Sequence, residues 1–185
     1  MTSKIKVNIL ADGGDNSIIT SDGAGSFTAS SSLASSVQSV GALQNTPYFY
    51  TSNSSDLTPT NNTNVKVPFN TLILGSASDY NTSTYRFTPL TAGKYFIVNQ
   101  LRFSYSSGYG KLNSAVLFFN GSQDVTSVTE MNYNYDSQVY ATVSAIYDFN
   151  GSSDYVEAYT YIRQSSSGAS VITGSRFYGF KLIGA

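Results

Sequence analysis

Alternation of apolar and polar residues, cut at short intervals by turn formers, governs what this chain can become, and it is densest between Tyr85 and Phe103. A strand ending in Phe87 meets a turn holding Pro89 and Gly93, and a longer strand follows. Pro89 presets one backbone dihedral and Gly93 reaches conformations closed to other residues, so the turn forms at little cost. In the long strand Tyr95, Ile97, Asn99, Leu101, Phe103 and Tyr105 fall on one face of a pleat of period two. The other face opens with Phe96 and Val98, then turns polar at Gln100, Arg102 and Ser104. A strand apolar on both faces at one end is covered twice there. One cover is its own core; the other is expected to be another subunit.

Composition removes whole classes of chemistry. Charged residues are 11% of the chain, less than half the usual share, while 41% are hydrophobic and 14% aromatic. Disorder needs the opposite balance. Ten basic and eleven acidic side chains leave a net charge of -1 with no basic cluster, so nucleic acid is not an expected partner. The chain has no cysteine and no histidine. That excludes a disulfide framework, a thiolate nucleophile, Ser-His-Asp catalysis and the commonest metal ligands. The start, Met1 to Leu10, lacks the apolar region of a secretion signal, and nothing approaches the roughly 20 apolar residues of a membrane span. Synthesis in a cytoplasm, folding without oxidation, and no membrane insertion or cofactor are the expectations.

Along the chain, Ile5, Val7 and Ile9 alternate with Lys4, Lys6 and Asn8, a short strand pattern. Asp12 to Asn16 reads as a turn, Ser17 to Thr20 as a strand, and Asp22 to Gly25 as a second turn. Ser30 to Val40 places Leu33, Val37 and Val40 at helical spacing among serines. It is either a linker or a stalk helix packed against copies of itself, since it cannot hold a helix alone. The texture turns aromatic at Asn45, so residues 1–44 read as an attachment or stalk segment and 45–185 as a head. Within the head, Val65 to Asn70 reads as an edge strand because Pro68 cannot donate to a ladder. Leu112 to Asn120 is a strand closed by Asn120-Gly121, a hairpin signal. Val139, Ala141, Val143, Ala145, Tyr147 and Phe149 make an inward face, as do Val156, Ala158, Thr160 and Ile162. Val171 to Ile183 is the last strand. Eight or more strands with close turns mean an antiparallel sandwich.

Five pieces in register resemble the globular heads of the complement-q family, relatives of the tumour-necrosis-factor jelly rolls. They are Val67-Pro68-Phe69-Asn70, Asp79-Tyr80-Asn81, Phe87-Thr88-Pro89 with Ala92-Gly93-Lys94-Tyr95-Phe96, Leu117-Phe118-Phe119-Asn120-Gly121, and Ser175 to Leu182. The resemblance covers roughly residues 46–185. It implies a ten-strand antiparallel jelly-roll sandwich that closes as a homotrimer, with a stalk entering at one end. Residues 2–40 are similar to leading segments of fibre and decoration proteins of tailed bacteriophages. This resemblance implies a virion-surface knob, either capsid decoration, head fibre or tail-fibre tip, that attaches to a capsid or tail protein through Ile5, Val7 and Ile9.

Outward aromatics form the first candidate site: Phe96, Val98, Tyr159, Tyr161, Tyr178 and Phe180, expected to lie together under a subunit interface. The alternative is a monomer with long loops over them. Tyr105, Tyr109, Tyr133 and Tyr135, set among Ser, Gly and Asn, form the second, suited to a receptor or host-surface glycan. The alternative is tyrosines folded back onto the sandwich. Asp12 to Asn16 gathers oxygens without the spacing of a calcium loop and reads as a plain turn, so no metal is expected. Asp79, Asp136, Asp148 and Asp154 are isolated acids. Sequons at Asn53, Asn61, Asn81, Asn120 and Asn150 reflect composition rather than glycosylation. Scattered carboxylates give no expectation of catalysis.

Overall fold

A computed structural model describes residues 9–11, 13–21, 24, 26–30, 45–105, 110–130, 138–164 and 169–182. The chain divides into two compact units, Met1–Gln44 and Asn45–Ala185. In the first unit β1 (Ile9–Ala11), β2 (Ser17–Ser21) and β3 (Phe27–Ala29) form an antiparallel sheet in that order. Leu10 and Ala29 both pair with Ile19, and Phe27 pairs with Ser21. Period two therefore puts Leu10, Ile19, Ala29 and Phe27 on one face. Ile9 pairs with Thr20 on the other face and is exposed. The Ile5 and Val7 positions and the Leu33–Val40 segment lie outside the described residues.

The head contains β4 (Tyr48–Ser52), β5 (Asn64–Lys66), β6 (Thr71–Gly75), β7 (Tyr80–Asn81), β8 (Arg86–Phe87) and β9 (Gly93–Tyr105). It continues with β10 (Gly110–Phe119), β11 (Ser122–Glu130), β12 (Val139–Phe149), β13 (Val156–Gln164), β14 (Ala169–Val171) and β15 (Arg176–Lys181). A first sheet runs β12-β9-β15-β4-β6, with β14 also on β9; a second runs β11-β10-β13-β8-β7, with β5 also on β13. The pairings are antiparallel. Apart from the β7–β8 and β10–β11 pairs, strands adjacent in space are not consecutive in sequence, as a sandwich with crossing connections requires.

Three details differ from the sequence reading. The edge strand stops at Lys66, because from Pro68 the backbone turns on itself: Phe69 N–H donates to Val67 O and Asn70 N–H to Pro68 O. The last strand is two, β14 and β15, parted at Gly174 with φ +98. And β11, unexpected from sequence, completes the Asn120-Gly121 hairpin. Both turn residues have positive φ, 49° and 81°, the geometry that matches the twist of paired strands.

The core lies between the sheets. Tyr95, Ile97, Leu101 and Phe103 from β9 meet Phe149, Val156, Ala158, Ile162 and Leu117. An aromatic nest closes one end, with Phe49 stacked on Phe87 at 4.2 Å and edge-on to Phe177 at 4.8 Å. Each such ring contributes about 1.5–3 kcal/mol by leaving water. Gly179 makes room for it, since a Cβ there would sit 2.5 Å from Ile97 Cδ1 and 2.8 Å from Phe96 O. One polar residue occupies the middle. Asn99 is fully buried, and its Nδ2 donates across the sandwich to Val116 O and Tyr159 O at 3.0 Å each. It ties the first sheet to the paired strands β10 and β13, while its Oδ1 has no partner.

Candidate functional site

Register assembles the outer face of the first sheet from residues scattered through the chain. Ile146 pairs with Phe96, Phe96 with Phe180 and Phe180 with Tyr48. The next row runs Ser144, Val98, Tyr178, Tyr50 and Leu74. These two rows make an apolar stripe across the whole sheet. Phe96 and Phe180 lie 5.8 Å apart, and Tyr50 meets Tyr178 edge-on at 5.7 Å. At its ends Ile146 is 58% and Leu74 57% exposed, uncommon for such side chains on a water-facing sheet. A groove of about 420 Å³ runs along it between Tyr48, Tyr50, Leu74, Tyr178 and Phe180. Polar rows bound the stripe on both sides. Thr142, Gln100, Arg176 and Ser52 form one margin, where Arg176 Nε donates to Tyr50 Oη at 2.8 Å. The Asp148–Lys94 pair lies on the other. An apolar centre with a polar rim is the anatomy of a protein interface.

The expected interface set divides here. Phe96, Tyr178 and Phe180 are half-buried members of the stripe, and Val98 beneath them is already buried within its own chain. Tyr159 and Tyr161 are on β13, in the other sheet, and face away from the stripe. The six residues do not form one patch. Sequence parity put all of them outside but could not say which sheet each strand would join. Tyr48, Tyr50, Leu74 and Ile146 take the vacant places.

Around Tyr159 the second sheet carries a charge cluster. Glu157 points outward yet is buried, because Lys66 Nζ sits 2.6 Å and Arg86 Nη2 2.9 Å from its Oε1. The Arg86 guanidinium lies 3.5 Å from the Tyr155 ring centre, and Tyr159 stacks on Phe118 at 4.0 Å. Tyr159 donates to Glu157 Oε2 at 3.3 Å. Burial, then the Glu157 charge, pushes the Tyr159 phenol up to about 12.

Of the loop tyrosines, Tyr109, Tyr133 and Tyr135 lie outside the described residues. Tyr105 is a correction: it continues the inward row of β9 and is 6% exposed in the core, so it offers no surface to a ligand. The acids serve the frame. Asp79 Oδ1 accepts from Leu90 N–H at 3.0 Å, Asp56 from Thr173 N–H at 2.8 Å, and Asp154 from Asn150 N–H at 2.8 Å and Asn120 Nδ2 at 2.9 Å. Asp148 is exposed at a sheet margin and Asp136 lies outside the described residues. Among the described residues no group of three or more acids could hold a metal, and no helix is long and apolar enough to cross a membrane.

No family model matches the sequence, and no curated protein matches it. Solved structures do. Murine APRIL, crystallised at pH 8.0, is similar with a TM-score of 0.52 at 10% identity, covering 73% of this chain and 98% of that one. The globular domain of zebrafish Complement 1qA protein gives 0.49 at 12% identity over 73% and 96%, and Eiger TNF from S. frugiperda 0.49 at 13% over 75% and 92%. At such identities the likeness concerns the fold. The head is an all-β antiparallel jelly roll, the fold it shares with murine APRIL. Its described residues hold twelve strands where ten were expected.

Proposed function

We propose that the head is a non-enzymatic homotrimeric knob, carried outward on a bacteriophage particle that holds residues 1–44. The observation that carries the trimer is the apolar stripe: it is confined to one sheet, spans that sheet from β12 to β6, and has polar margins. Three copies related by a rotation axis would each pack the stripe against another surface of the next copy, a heterologous contact that closes into a ring. The jelly-roll resemblance points to the same assembly. The carboxylates support the non-enzymatic reading, since Asp56, Asp79, Asp154 and Glu157 are spent on backbone amides and cations.

The particle assignment leans on the resemblance of residues 2–40 to phage leading segments. The first unit adds a narrow apolar face, Leu10, Ile19, Ala29 and Phe27. Leu10 and Phe27 on that face are exposed, apolar surface that packing on another protein would take out of water. The test is immunogold labelling of native particles with antibody against the head. Label in a regular array on the capsid, or at the tail-fibre tips, is expected; label absent from purified particles would defeat the assignment.

A further inference from the structure

We propose that the outer face of the second sheet holds a site for one neutral sugar ring, separate from the subunit stripe. Two adjacent rows build it. Val128, Ser114, Tyr161 and Asn64 align across β11, β10, β13 and β5, and beside them Thr126, Val116, Tyr159 and Lys66. Ser114 and Val116 are the small residues in rows of larger ones, so the sheet is hollow above them. Both are buried although they point outward. The hollow measures about 260 Å³. Tyr161 stands on one side and Thr126 and Val128 on the other, Leu112 lies at one end, and Asn64 reaches across to meet Gln123 at 2.8 Å.

Its chemistry selects the occupant. Every residue lining the hollow is uncharged, and Lys66 at the end of the second row is already paired with Glu157 at 2.6 Å, so the site offers no free cation to a carboxylate, phosphate or sulfate. The Tyr161 ring, Leu112 and Val128 supply apolar contact over a floor of buried Ser114 and Val116, while amides and hydroxyls stand at the rim. A pyranose has the matching make-up, C–H faces with hydroxyls around the edge. The amides are held in place before any ligand arrives. Asn64 Nδ2 donates to Gln123 Oε1 at 2.8 Å, and Gln123 Nε2 to Thr126 Oγ1 at 3.0 Å. Asn64 keeps its carbonyl oxygen and a second amide proton for hydroxyls. Such preorganisation lowers the ordering cost of binding. The volume falls just below the roughly 300 Å³ of the smallest drug-sized pockets, which suits one ring rather than an extended chain.

This face is opposite the stripe, so a site here does not compete with the stripe's own residues for a sister copy. That clause rests on the trimer reading; the single site does not. In a trimer, three weak sites would act together on a polysaccharide surface.

The test is saturation-transfer NMR on the full chain with the methyl pyranosides of glucose, galactose, mannose and N-acetylglucosamine. Transfer to ring C–H protons of at least one is expected. Tyr161→Ala should weaken it about tenfold, the loss of one aromatic contact of roughly 1.4 kcal/mol. Val128→Trp, at a half-exposed rim position that leaves the core intact, should abolish it by filling the hollow. No transfer from any of the four overturns the site, as does transfer unchanged in both variants or seen only with sialic acid or sulfated sugars. Wild-type transfer from a chain that proves monomeric would refute the trimer and leave the site standing.

Discussion

Replacing Glu157 by glutamine changes one oxygen to an amide and nothing in shape, yet it should unsettle three strands. Glu157 on β13 neutralises Lys66 on β5 and Arg86 on β8, at 2.6 Å and 2.9 Å. At an effective dielectric near 20 and charge centres about 4 Å apart, each attraction is roughly 4 kcal/mol. Several kcal/mol of that is offset by taking a carboxylate out of water. The glutamine strands two cations side by side, but their side chains are 29% and 37% exposed and recover solvent. The loss should therefore fall below the roughly 3–5 kcal/mol of a wholly buried broken pair, at about 2 kcal/mol. Lys66→Met keeps the Arg86 contact and should cost about 1 kcal/mol, and adding it to Glu157→Gln should recover part of the loss by removing the repulsion. Urea unfolding at one fixed chain concentration measures all three, because association contributes to apparent stability. A Glu157→Gln protein within about 0.5 kcal/mol of wild type would refute the reasoning, since a surface change of no consequence gives that value.

Asn99→Ala should cost about 2–4 kcal/mol, from a cavity between the sheets and two lost cross-sandwich bonds; Asn99→Leu should cost less, because it also removes the unpartnered Oδ1. Both are read by chemical denaturation. Alkali should unfold the head. Burial raises the phenols of Tyr80, Tyr95, Tyr105 and Tyr147 above their usual value, and Tyr159 to about 12. The unfolded chain releases those protons near pH 10, so the stability they contribute is complete below about pH 10 and is lost as pH rises toward the folded values. Phenolate absorbance should appear together with loss of sheet signal; ionisation complete near pH 10 in a still-folded protein would contradict the burial. With no histidine in the chain, stability should be level from about pH 6 to about pH 9.

Where one residue's neighbours are close in sequence, the chain was readable. The inward rows of β12 and β13 follow from alternation alone, and Asn120-Gly121 from the backbone that a tight hairpin demands. What depended on distant pairing was not. Placing β13 opposite β9 moved Tyr159 and Tyr161 off the expected patch, since strand order is decided by the fold as a whole. Ile146, Tyr48 and Leu74 looked like isolated apolar residues until register aligned them with Phe96 and Tyr178. The strand β11, Ser122–Glu130, hid because only Val125 and Val128 are apolar in it, yet the hairpin turn before it obliges a returning strand. Tyr105 carried its own signal, being the next odd position after Phe103, but its Ser and Gly neighbours suggested a loop.

Sedimentation equilibrium of the wild-type chain, beside a variant carrying Ile146→Arg and Phe180→Arg in the stripe, tests the central claim most directly. At micromolar concentration the wild type should have three times the 19.9 kDa chain mass, unchanged on dilution, and the variant should sediment near 19.9 kDa while keeping its sheet spectrum. A wild-type chain that sediments as a single 19.9 kDa species would mean that the stripe meets water, and the trimeric knob would fall with it.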